Sequence, residues 1–191
     1  MIHRDNPGDI HIITACRRVK SNVIRQSMGT ASYIVGYIEE AWPGLAGGGD
    51  PDQITKLKDA AATIARHNET TLNSLPKEDE YPPLCRGMFS WASSDAIMIT
   101  YKNRLIHFAA AMKEIDPEIR TWLDKIDALL RNLYWESAYI RIETAYIGTH
   151  EFTWQVSTRW MEDMCKGDVK PILEWRFEST MAPEELESLR E

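Results

Sequence analysis

Apolar side chains at Ile119, Trp122, Leu123, Ile126, Leu129, Leu130 and Leu133 recur at the three-and-four spacing that gathers side chains on one side of a helix. The spacing predicts a helix over 116–134, with Asp116 as its cap and Pro117 in the first turn, where a missing N–H costs nothing. Similar stripes occur elsewhere. Ile12, Cys16, Val19, Val23, Ser27, Ala31, Ile34, Ile38 and Trp42 predict a long first helix. Ile54, Leu57, Ala61, Ile64, Asn68, Leu72 and Leu75 predict a second, entered through Asp50 and Pro51. Ile97, Tyr101, Leu105, Phe108, Met112 and Ile115 predict a third. Pro43, Gly44 and the run Gly47-Gly48-Gly49 separate the first two, and the proline-rich acidic stretch 76–84 reads as a loop.

Beyond Tyr134 the pattern divides. Ala138, Ile140, Thr144 and Ile147 carry the central helix on to about Gly148, or the β-branched and aromatic run from Tyr139 to Ile147 is already extended. Leu173, Trp175 and Phe177 alternate with Glu174, Arg176 and Glu178, which predicts a half-buried strand near 171–178. A lone strand needs a partner. Three are available: a hairpin with 151–158, a strand around Ile10 to Thr14, or the same strand in a second copy. The fold expected is therefore mainly α: an antiparallel bundle of four to five helices with a small C-terminal β element. Residues 1–148 form the bundle and 149–191 an extension packed on it, one domain in all.

Composition narrows the class. The chain has 191 residues, 43% of them hydrophobic and 27% charged, enough for a real core. Its formal charge of −7 opposes general attraction to phosphate backbones. Cys16, Cys85 and Cys165 are scattered and odd in number, which fits reduced thiols. The polar start MIHRDNPGD lacks a signal-peptide pattern, and no apolar run reaches the roughly 20 residues of a membrane span. A cytoplasmic, non-membrane protein is expected.

Chemistry is sparsely signposted. The histidines show no pair at metal-ligand spacing, no Glu-x-x-His motif is present, and neither a serine elbow nor a phosphate-cradling loop occurs. No metal or cofactor is expected. Cys85, Ser90 or Ser94 with His107 could pair nucleophile with base, and Glu136 and Glu143 would share a helix face, but chance supplies such combinations in any chain of this size.

Two surface features carry the functional expectation. Trp135, Trp154, Trp160 and Trp175 fall in the last third, and from Glu151 to Glu191 ten acidic residues face five basic ones, a net −5. Trp and Arg are enriched at binding hot spots. A non-enzymatic protein is expected, acting through self-association, with a dimer favoured, and through a protein partner bound at Trp154, Trp160, Trp175, Glu174 and Glu178. A sharper form has the acidic end inhibiting a nucleic-acid-handling enzyme by occupying its basic groove. The alternatives are a nucleic-acid binder using Arg17, Arg18, Lys20 and Arg25, or a helical hydrolase or transferase with a site assembled from scattered residues.

Overall fold

Strand alternation, and not the helical stripe, dominates the structure. A computed structural model describes residues 31–41, 51–92, 104–164, 172 and 174–188. Its elements run β1 (Ala31–Glu40), α1 (Pro51–Asn73), β2 (Phe89–Trp91), β3 (Leu105–Lys113), α2 (Ile119–Leu130), β4 (Trp135–Glu143), β5 (Thr149–Val156), α3 (Thr158–Met164), β6 (Trp175–Ser179) and α4 (Pro183–Ser188). The strands make one six-stranded sheet in the order β2-β3-β1-β4-β5-β6, each neighbour antiparallel.

This overturns the helical bundle. The first helix expected across Ile12 to Trp42 is a strand over Ala31–Glu40 followed by Ala41, the rest of that stretch lying outside the described residues. The third expected helix gives way to β3 over Leu105–Lys113, its first residues, 97–103, lying outside the described ones. The central helix ends at Leu130, and Trp135 to Glu143 is extended. β5 and β6 fall where a small β element was expected, but they are two strands of the main sheet.

Alternation sorts the side chains onto two faces. Ile34 and Ile38, Ile106 and Phe108, Ile140 and Ile142, and Phe152 and Trp154 point to one face and are buried. They form a single apolar cluster with Ile119, Trp122, Leu123, Ile126, Leu129 and Leu130 of α2. The stripe that predicted α2 therefore packs on a sheet. Trp122 packs its ring 6.3 Å from that of Phe108 and donates to Pro83 O at 3.2 Å. Trp154, 0% exposed, donates its Nε1–H to Asp127 on α2 at 2.7 Å.

α1 is fixed by a buried polar network. Arg104, just ahead of β3, gives all five guanidinium protons away: to both oxygens of Glu40, to Glu69, and to the carbonyls of Ala65 and Ala92. Asn68 of α1 bonds both the N–H and the C=O of Tyr134 at 2.9 Å and donates to Glu40 as well. These bonds tie α1 to the end of β1 and to the connection entering β4.

Gly36 occupies the core-facing position between Ile34 and Ile38. A Cβ there would lie 2.4 Å from Tyr139 O and 2.5 Å from the Phe108 ring, which fills the space the missing side chain leaves. Because the nearest atom is backbone, Gly36→Ala is expected to destabilise by about 1–3 kcal/mol, as overpacking does. Urea unfolding should show a lowered midpoint with an unchanged slope. A second expectation concerns pH. Burial holds the Asp127 carboxyl above the usual aspartate range, although the bond from Trp154 opposes the shift. The folded state thus holds this proton more tightly than the unfolded chain, so the group favours folding below the ordinary aspartate pKa and loses that contribution as pH rises through the folded value. Asp127→Asn keeps an acceptor for Trp154 and removes the titration, so its stability relative to wild type should rise in denaturation curves as pH increases above the ordinary aspartate pKa.

Candidate functional site

Residues of opposite parity on the same strands form a second face that no described helix covers. The register aligns His107, Tyr37, Tyr139 and Thr153 in one row, and Ala109, Val35, Arg141 and Glu151 in the next. Ala111, Tyr33 and Glu143 make a third. Tyr33 is 56%, Val35 48% and Tyr37 37% exposed, and these are half of the large exposed hydrophobics among the described residues. All three lie on β1, a strand whose other face is sealed. Tyr37 stacks against Tyr139 across the β1–β4 pair, with ring centroids 5.7 Å apart. Ala109 and Ala111 flank Val35 and Tyr33 with little bulk, leaving the rings proud of the sheet.

Charges of both signs rim this apolar centre. Arg141 pairs with Glu143 at 3.5 Å, and Ser137 donates to Glu39 at 2.9 Å. Burial raises the Tyr139 phenol above its ordinary range, and a hydrogen bond to Glu151 raises it further. Lys113, Arg141 and Arg176 stand against Glu39, Glu143, Glu151 and Glu178 on this face, so three cations meet four carboxylates. The face is nearly neutral on a chain of formal charge −7.

The residues singled out by sequence are dispersed. Trp154 is enclosed in the core. Trp160 is half-buried and packs near Ala41, Ile64 and Tyr134. Trp175 is half-buried, edge-on to Trp135 at 5.7 Å, with the Arg131 guanidinium 4.5 Å above its ring. Glu174 is exposed, and Glu178 is exposed and paired with Arg176. Arg17, Arg18, Lys20 and Arg25 lie outside the described residues. What sequence reasoning passed over was Tyr33, Val35 and Tyr37, three alternating residues in ASYIVGYIEE that a period of two would have shown.

Combinations that could carry catalysis fare no better. Ser90 and His107 do sit opposite each other on β2 and β3, but both are open to solvent. Ser94 lies outside the described residues, and Cys85 is a half-buried free thiol in the turn before β2. Glu136 and Glu143 lie on a strand, roughly 24 Å apart at its usual rise, too far to act as one pair. A cleft of about 840 Å³ runs between α1 and α2, lined by His67, Leu75, Asp79, Lys125, Asn132 and Tyr134. Both of its permanent cations are already engaged: Lys125 donates to Asp79, Glu80 O and Pro82 O, using all three ammonium protons, and Arg131, which also lines the cleft, lies over the Trp175 ring. Among the described residues no three His, Cys, Asp or Glu side chains gather as a metal site, and no helix is long and apolar enough to cross a membrane.

No protein family, curated protein or solved structure matches the chain. The geometry itself can be probed. In a spectrophotometric titration the component lost in Tyr139→Phe should ionise above the ordinary phenol range, and Glu151→Gln should bring it down by removing the carboxylate that holds the proton.

Proposed function

We propose that this is a non-enzymatic protein that works by association, and that the open face of the sheet is where it docks a protein partner. The observation that carries this reading is the Tyr33, Val35, Tyr37 and Tyr139 patch on adjacent central strands. A solvated sheet face normally alternates to polar residues. Here one of the two central strands turns two tyrosines and a valine outward instead. The apolar part of the face is the strip along β1 with Tyr139 beside it, and charged and polar residues take up the rows around it.

The composition favours a protein as the ligand. Tyrosine offers a large rigid ring with a hydroxyl, the combination found at energetic hot spots, and the mixed charges around it suit a polar rim. A nucleic acid would also stack on exposed rings, but it requires a cationic surface, and here carboxylates outnumber cations. Of the C-terminal residues expected at an interface, Glu178 lies on this face, whereas Trp154 is enclosed and Trp160 and Trp175 pack elsewhere.

The test compares variants that leave the core alone. Val35→Lys and Tyr37→Glu should each fold with a wild-type circular dichroism spectrum and lose the proteins that wild type retains from lysate of its native host. Lys58→Glu, on the exposed side of α1, should keep them. Equal retention by all three would remove the open face from consideration. Binding of a fluorescent single-stranded oligonucleotide that Tyr37→Glu abolishes would replace the protein partner with a nucleic acid.

A further inference from the structure

The sheet ends at β6, beyond which no strand lies among the described residues. Its pairing with β5 fixes which backbone groups face outward. Thr180 N–H donates to Glu151 O at 3.0 Å, so the position opposite Glu151 points its backbone inward. Backbone direction alternates along an antiparallel strand. Glu178 and Arg176, opposite Thr153 and Gln155, therefore also point their backbone groups to β5. Trp175, Phe177 and Ser179 turn theirs to the outer edge. This edge is exposed in its side chains too: Arg176 and Glu178 are open to solvent, and Phe177 is 38% exposed.

The five residues Trp175-Arg176-Phe177-Glu178-Ser179 read as a charge palindrome. An antiparallel pairing of β6 with itself, with the two-fold axis at Phe177, sets Phe177 against Phe177 of the second copy. It then sets Arg176 against Glu178 on one side and Glu178 against Arg176 on the other. Trp175 meets Ser179 at each end. The residues whose backbone faces outward are the ones this register places in hydrogen-bonded pairs: Phe177 with its copy, and Trp175 with Ser179 twice. The two charge pairs fall at the non-hydrogen-bonded positions, where opposed side chains approach most closely. Opposite charges there stabilise a strand pair and like charges destabilise it. Backbone phase and charge order thus select the same register independently.

We infer that the β6 edge is a self-association surface whose occupant is the β6 strand of a second copy of this chain, giving a two-fold dimer with a continuous twelve-stranded antiparallel sheet. The contact is small and mostly backbone, so the dimer is concentration-dependent. It does not use Tyr33, Val35 or Tyr37, and although Arg176 and Glu178 also stand at the rim of the open face, self-association is read without any partner present, so the two readings fail separately.

Sedimentation velocity on the full chain tests it. Wild type should shift from monomer to dimer as concentration rises. Arg176→Glu and Glu178→Arg each place like charges opposite one another and should weaken the dimer by about tenfold or more. An equimolar mixture of the two variants should associate like wild type, as should the double swap Arg176→Glu, Glu178→Arg. Phe177→Pro removes an outward N–H that bonds nothing within β5 and β6, a position where an edge strand tolerates proline. It also removes a ring that stacks on Phe152 and lies 5.1 Å from that of Trp154, so Phe177→Ala serves as its control: both should melt below wild type, but only Phe177→Pro should remain monomeric. A wild type that stays monomeric at every concentration overturns the proposal. So does a dimer that survives Phe177→Pro, or a mixture of charge variants that fails to associate.

Discussion

The buried layer between α2 and the sheet decides the position of nearly everything else. Trp122, Ile126 and Leu130 on the helix share one cluster with Ile34, Ile140 and Phe152 on the strands. A shift of any strand by one residue would carry its apolar set out of that layer and its polar set in. The layer therefore sets register as well as stability. It also determines the second face by subtraction. Once Ile34 and Ile38 are sealed against α2, Tyr33, Val35 and Tyr37 can point only to solvent or to another molecule.

Polar groups complete what the apolar layer leaves open. A buried ion pair is weak support for stability on its own, because desolvation can cancel the attraction. Arg104 is informative for a different reason: with every proton assigned to a named acceptor, it admits one placement of α1 relative to β1 and β3. Asn68 makes the same kind of demand by reading both backbone groups of Tyr134. α1 also buries Leu57, Ile64 and Leu72, with alanines at 60, 61 and 65 filling the rest of its inner face. Hydrogen-bond direction adds orientation to that packing.

The sequence announced the two longer helices and concealed most of the sheet, for a local reason. Helices show side chains at three-and-four spacing and strands at spacing two, but a strand whose middle core position is small shows a gap of four. Gly36 makes such a gap between Ile34 and Ile38, and Ala110 makes another between Phe108 and Met112. Each strand then imitates a helical stripe. Gly36 is small because the Phe108 ring and the Tyr139 carbonyl occupy its side-chain space, a cross-strand fact that no single segment carries. The alanines at 109 and 111, common in helices, face outward on β3 and carry no strand signal of their own. α2 was legible because its stripe has no such gap: Ile119, Trp122, Leu123, Ile126, Leu129 and Leu130 are all large and all buried. The tyrosine patch was lost along with β1, because a helix would have scattered the residues that a strand aligns. The C-terminal tryptophans misled in the opposite sense, since a large ring that can bind a partner can as readily fill a core.

Sheet edge and open face are connected through symmetry. An antiparallel pair of identical strands is related by a two-fold axis perpendicular to the sheet, which leaves both open faces on one side. In the β6 dimer, β1 and its copy are separated by seven strand intervals, or roughly 34 Å at ~4.8 Å each. Each tyrosine patch lies three strands from the junction, so docking there does not compete with dimer formation. A partner with repeated or symmetric surfaces could then engage both patches, and the second contact would be intramolecular. A modest patch and a short edge, each weak alone, would act together through effective concentration. The spacing of the two patches then matters as much as the chemistry of either, and the sheet between them is what holds that spacing.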